Sequence, residues 1–207
     1  MVRRGLRTDA AHQSWSRPGA TLAVVSPASV LVLTGPPGSG KSTVGGLVAR
    51  RFDTAAHVES DWFWTTIVGG HVPPWLPEAD AQNRTVLKAF AAAAGELARG
   101  GYTVVVDGIV GPWYLDLVTD ELGRAGAVVH YLVLRPPLDV ALARARTRAP
   151  RTPGTAPLAD EGPIRVMWER FQNLGDYERH VLDNGDQDET ETADAVWTRF
   201  VNGTDRL

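Results

Sequence analysis

The sequence predicts an α/β protein with a doubly wound parallel sheet, and two observations lead there. Apolar runs of strand length alternate with segments whose apolar residues recur at helical spacing. The first of those runs opens directly into Gly35-Pro36-Pro37-Gly38-Ser39-Gly40-Lys41-Ser42, which satisfies G-x-x-x-x-G-K-[ST], a loop that requires a strand before it and a helix after it.

Taken in order, Val30, Leu31, Val32 and Leu33 form a short apolar run suited to a buried parallel strand. After the glycine loop, Val44, Leu47, Val48 and Phe52 fall on one helical face. A second, short strand is expected over 57–60, with a helix over 62–67 for which Ser60 or Asp61 is the N-cap. Residues 81–99 place Val86, Leu87, Phe90, Ala94, Leu97 and Ala98 on one stripe, closed by Gly100 and Gly101. Strands follow over 102–106 and 127–134, with a helix over 112–125 between them carrying Leu115, Val118 and Leu122 inward. A helix over 138–148 begins just after Pro136 and Pro137. A weak fifth strand is expected over 180–183 and a last helix over 192–201. Two segments read as mobile covers: the proline-rich loop 72–79 and a long loop over 149–163.

With 207 residues the chain holds one well-packed domain, expected over 29–207 with a lid over about 144–165. Residues 1–28 carry Arg3, Arg4 and Arg7 followed by small residues without periodicity. They read as a disordered or loosely packed extension, since no sustained apolar stretch follows the arginines. A net charge of −3 argues against a protein that coats nucleic acid or binds membrane surfaces, and no stretch is apolar enough to span a bilayer. The absence of cysteine removes disulfides, thiolate metal sites and thiol nucleophiles. A cytoplasmic location follows by default. His57, His71, His130 and His180 show no ligand-like spacing, so no histidine metal site is expected.

The residue types explain the chemistry expected at the loop. Glycines let backbone N–H groups close around phosphate oxygens, and the following helix N-terminus adds partial positive charge. Residues Gly35, Pro36, Pro37, Gly38, Ser39, Gly40, Lys41, Ser42 and Thr43 make up this nucleotide site, with Lys41 reaching the β- and γ-phosphates and the Ser42 hydroxyl ligating Mg²⁺. Val104-Val105-Val106-Asp107 is an apolar strand ending in a carboxylate, where Asp107 would hold Mg²⁺ or meet the substrate. Asp61 follows the second strand and is the candidate base that orients an acceptor hydroxyl and takes its proton; Glu59 could share the metal shell. Whether Asp61 or Asp107 is the base stays open. Arg144 and Arg148 share a helix face and could close over the nucleotide phosphates during transfer. Trp62, Trp75 and Trp113, with Trp64, belong to segments expected to line one mouth of the sheet and suit a partly apolar, hydroxyl-bearing substrate.

The P-loop, Asp61 after the second strand, Val106-Asp107-Gly108, and Arg135 followed by Arg144, Arg148 and Arg151 together resemble the small P-loop kinases of the nucleoside-monophosphate-kinase-like group. The chain is most similar to the branch of chloramphenicol phosphotransferase and related small AAA-type ATP-binding kinases, over about residues 30–201. The resemblance implies a three-layer P-loop NTPase fold with five parallel strands in the order 2-3-1-4-5. It implies ATP and Mg²⁺ at Gly38 to Thr43, Asp61 as the base, and Arg144 and Arg148 as lid arginines. The proline-rich loop over 72–79 with Trp75 departs from the acceptor segment expected for chloramphenicol, and an insertion over 152–162 lengthens the lid. The expected activity is transfer of the γ-phosphoryl of ATP to a hydroxyl of a small molecule, an antibiotic or a metabolite. The alternatives are a nucleotide-binding regulator or NTPase with no small-molecule acceptor and, disfavoured by charge, a polynucleotide or tRNA-end kinase. The acceptor, the choice of ATP over GTP and the oligomeric state stay open.

Overall fold

The computed structural model describes residues 28–147 and 160–207. Five strands make one parallel sheet: β1 (Ser29–Thr34), β2 (Ala55–Glu59), β3 (Thr103–Gly108), β4 (Val128–Leu134) and β5 (Val181–Leu182), in the order β2-β3-β1-β4-β5. This is the 2-3-1-4-5 order expected, and with helices on both faces it is the P-loop NTPase fold. The helices are α1 (Lys41–Ala49), α2 (Asp61–Thr65), α3 (Asp80–Arg99), α4 (Pro112–Arg124), α5 (Leu138–Thr147), α6 (Glu161–Arg170) and α7 (Glu189–Val201).

Alternation along each strand divides the core in two. Val30, Val32, Val104, Val106, Tyr131 and Val133 point to the α3 and α4 side, where Leu87, Phe90, Leu115, Leu122 and Phe171 meet them. Leu31, Leu33, Val105, Leu132 and Leu134 point the other way, against Val44 and Val48 of α1 and Val196 and Phe200 of α7. Strands buried on both faces explain why the sequence shows continuous apolar runs rather than alternating ones.

Two differences from the expected elements concern the end of the domain. A helix, α6, stands where no helix is read from the sequence; Ile164, Met167 and Phe171 give it a buried side, and Ile164 joins Leu142 and Ala145 of α5 in a small satellite core. Pro163 is tolerated because it lies in the first turn. α7 starts at Glu189, earlier than expected, because Asp188 and Glu191 form a capping box at its head.

β5 is too short to cover the edge of β4. Residues 205–207 do this instead: Tyr131 N–H donates to the Asp205 carbonyl at 2.9 Å and Leu207 N–H to the Val129 carbonyl at 3.0 Å. The Asp205 carboxylate is fully buried and accepts from Arg199 Nε at 2.8 Å, and it lies 3.1 Å from His180 Nδ1. Asp205→Asn leaves the Arg199 charge without its counter-ion and turns an amide N–H toward it. Chemical denaturation should show a loss of about 3 kcal/mol.

Candidate active site

The chain leaves β1 into the glycine loop with every strand residue buried. Gly38 adopts φ 81°, and a Cβ there would lie 2.1 Å from the Ala141 carbonyl oxygen of α5, so only glycine lets the loop pass under that helix. Gly40, at φ 89°, is the N-cap of α1, and no side chain caps the helix. Its first N–H groups therefore face the loop interior, as anion binding requires. Lys41 and Ser42 are buried at the start of α1.

The Ser42 hydroxyl donates to Asp107 Oδ1 at 2.7 Å, joining the P-loop to the end of β3. Asp107 is 3% exposed, which places a hard-oxygen pair, one hydroxyl and one carboxylate, beneath the phosphate cradle. That pair suits Mg²⁺, which takes a few protein oxygens and completes its shell with phosphate and water. The other carboxylate oxygen, Oδ2, lies 2.5 Å from His57 Nε2, a partner the sequence reading does not foresee. Parallel register sets His57 opposite Val105 and Glu59 opposite Asp107, so both side chains share the α1 face of the sheet with Asp107.

The ends of β2 and β3 are locked together. Ser60 N–H donates to the Asp107 carbonyl at 2.8 Å, and a Cβ on Gly108 would lie 2.4 Å from Ser60 Oγ, so the close approach needs a glycine. Asp61 follows as the exposed first residue of α2. Ser60 holds the N-cap position without a side-chain cap bond.

A cleft of 620 Å³ runs from the loop between α5 and the segment before α7, lined by Gly38, Lys41, Ser42, Arg144, Asn184 and Gln187 among others. Thr43 also faces it. Arg144 donates through one nitrogen to the carbonyls of Asn184 and Gln187, at 3.0 and 3.1 Å, binding α5 to that segment. Asn184 in turn donates to the Ser39 carbonyl at 3.0 Å, while its Oδ1 and Gln187 Oε1 are buried acceptors with no donor among the described residues. The sequence reading passes over Asn184 and Gln187, because their role depends on a segment far along the chain.

Arg148, and most of the expected lid over 144–165, lie outside the described residues, as does nearly all of the expected extension 1–28. Arg135, at the end of β4, is committed elsewhere: it makes a two-pronged ion pair with Glu178, 2.9 Å for each bond, and donates to the Phe171 carbonyl at 2.9 Å. The Arg135 guanidinium, with the Leu174 N–H, holds the Glu178 carboxyl below its usual range.

The tryptophans divide by role. Trp62 is 59% and Trp75 44% exposed. Trp113 packs edge-on to Phe171, with the Arg170 guanidinium 4.0 Å from its ring centroid, a stacked arrangement in the fold. Trp64 donates to Asn83 Oδ1 at 3.1 Å, and Asn83 donates to the Pro74 carbonyl at 2.8 Å. Gln82 holds both the N–H and the carbonyl of Val72. The proline-rich loop and α2 are thus pinned to α3 through two amide side chains.

Residues 30–174 match the family model described as AAA domain (AAA_33). The chain belongs to the AAA_33 family. No curated protein matches it in sequence. Among solved structures, the AAA_33 chain resembles a sugar kinase from Janibacter sp. HTCC2649, with 22% identity, TM-score 0.62, and 83% of this chain and 94% of that one covered. It also resembles the tunicamycin resistance protein of Deinococcus radiodurans, at 16% identity and TM-score 0.61, covering 83% and 95%. The APS kinase CysC of Mycobacterium tuberculosis, solved with AMPPNP and APS, gives 18% identity and TM-score 0.60 over 86% and 99%. The AAA_33 chain therefore has the fold of small P-loop kinases. No helix among its described residues is long and apolar enough to cross a membrane.

Proposed function

We propose that this AAA_33 protein is an ATP-dependent phosphotransferase acting on a hydroxyl of a small molecule, working as one domain in the cytoplasm. The observation that carries the reading is the Ser42–Asp107 hydrogen bond of 2.7 Å under an uncapped helix N-terminus, with Asp61 opening α2 one strand away. The AMPPNP bound to the APS kinase supports ATP as donor, and the sugar kinase supports a hydroxyl acceptor.

In this reading the loop amides from Gly35 to Thr43 and the Lys41 ammonium hold the triphosphate, and the rest of the nucleotide occupies the cleft that Thr43, Arg144, Gln187 and Thr192 border. Mg²⁺, held through Ser42 and Asp107, would neutralise charge on the β- and γ-phosphates. Asp61 orients the acceptor hydroxyl and takes its proton as the oxygen bonds to the γ-phosphorus. The bond from that phosphorus to the bridging oxygen breaks, and ADP leaves. Trp62 and Trp75 offer the acceptor an apolar face. Arg144 borders the cleft beside the phosphate loop, and Arg148 is proposed as a second lid arginine.

Incubating the protein with Mg-ATP and mixtures of sugars, nucleosides, antibiotics and other metabolites, followed by mass spectrometry, tests the reading. A new species heavier by one phosphoryl group is the expected result. ATP hydrolysis with no phosphorylated product in any mixture would favour the nucleotide-driven regulator instead.

A further inference from the structure

We propose that His57 is a positioning residue that fixes the Asp107 carboxylate for its metal-linked role; this rests on the reading of Asp107 given above. A carboxylate turns easily about its last side-chain torsion, whose energy profile is broad. Here Ser42 holds Oδ1 at 2.7 Å from α1 and His57 Nε2 meets Oδ2 at 2.5 Å from β2, so the group is gripped on both oxygens by two different elements. With its Nε2 protonated, the imidazole donates to an ionised carboxylate and leaves the Ser42 side as the face presented to the phosphates.

A second observation shows that the fold makes room for this ring. α1 contains Gly45 and Gly46 in succession, a poor choice for the middle of a helix. A Cβ on Gly45 would lie 2.9 Å from His57 Nε2, and one on Gly46 would lie 3.5 Å from Nδ1. The two glycines form a notch over the imidazole. Any side chain at 45 would push the ring away from Asp107. The His57 side chain is 16% exposed and that of Asp107 4%, so little water competes for the contact.

Partners behind a metal ligand commonly change metal affinity about 10- to 100-fold when removed. The test is calorimetric titration of ATP, once with Mg²⁺ and once with a chelator, into the parent, His57→Leu and His57→Gln. The glutamine amide reaches about as far as Nε2 and keeps a donor. His57→Leu should lose about tenfold of the Mg²⁺-dependent gain in ATP affinity while its affinity in chelator stays at the parent value, and His57→Gln should recover most of the gain. If leucine prevents folding, Gly45→Ala asks the same question by displacing the ring and should show the same selective loss. The proposal is overturned if the Mg²⁺-dependent gain survives in His57→Leu, if both affinities fall in proportion, or if glutamine performs no better than leucine. A parent protein that binds ATP equally well with and without Mg²⁺ would instead remove the reading of Asp107 itself, and this proposal with it.

Discussion

Lys41→Ala should reduce phosphoryl transfer by about 10²- to 10³-fold, the loss seen when one fixed electrostatic partner of a transition state is removed. Lys41 is 8% exposed and begins α1 directly after the loop. Its charge therefore acts in a site shielded from bulk water, where Coulombic interactions are stronger than at a surface. The neighbouring contacts do not depend on it: Ser42 holds Asp107, and Gly38 fits beneath Ala141 because of backbone conformation. The variant should still bind nucleotide, more weakly, through the loop amides, so that kcat falls more than affinity. Steady-state kinetics beside calorimetry read the two effects separately. A variant with parental kcat would mean that the loop does not hold a transferring phosphate.

The parts of this site legible in the sequence are those set by local rules. A P-loop is a contiguous string whose glycines answer to backbone geometry, and Gly38 and Gly40 take the positive φ values such a loop needs. Asp107 and Asp61 could be located because a residue at the carboxyl end of a parallel strand lies at the ligand side of the sheet. The strand order was available only through resemblance, because periodicity says where strands are and not which neighbours they choose. What escaped depends on distant pairing. His57 looks like any polar residue in a weak strand until parallel register sets it opposite Val105, two residues before Asp107. Gly45 and Gly46 carried the matching signal, an unexplained weakness in a helix, but its meaning needed the ring beneath it. Asn184 and Gln187 become pocket residues only when Arg144 bridges to them across 40 and 43 positions of chain. α6 was readable in principle, since Ile164, Met167 and Phe171 fall at helical spacing. The proline and glycine content just before it masked the pattern.

Asp61→Asn should lower kcat by about 10²- to 10⁴-fold, the usual contribution of a positioned general base, and leave Mg-ATP affinity at the parental level. The separation follows from the architecture. Nucleotide contacts come from the loop, Asp107 and the cleft bounded by Arg144 and Asn184, whereas Asp61 opens α2 at the far side of β3, next to the exposed Trp62. Asparagine keeps the shape and can still orient a hydroxyl, so residual activity measures orientation alone and the loss measures proton acceptance. Asp107→Asn makes the contrasting case. It weakens the Ser42 and metal side, so its defect should appear in Mg²⁺ dependence and diminish as Mg²⁺ is raised, whereas the Asp61→Asn defect should not respond to Mg²⁺. Were the Asp61 variant rescued by Mg²⁺ and the Asp107 variant indifferent to it, the two carboxylates would have to exchange roles. Were Asp61→Asn as active as the parent, the hydroxyl proton would have to leave by another route, directly to the phosphoryl oxygens or to water.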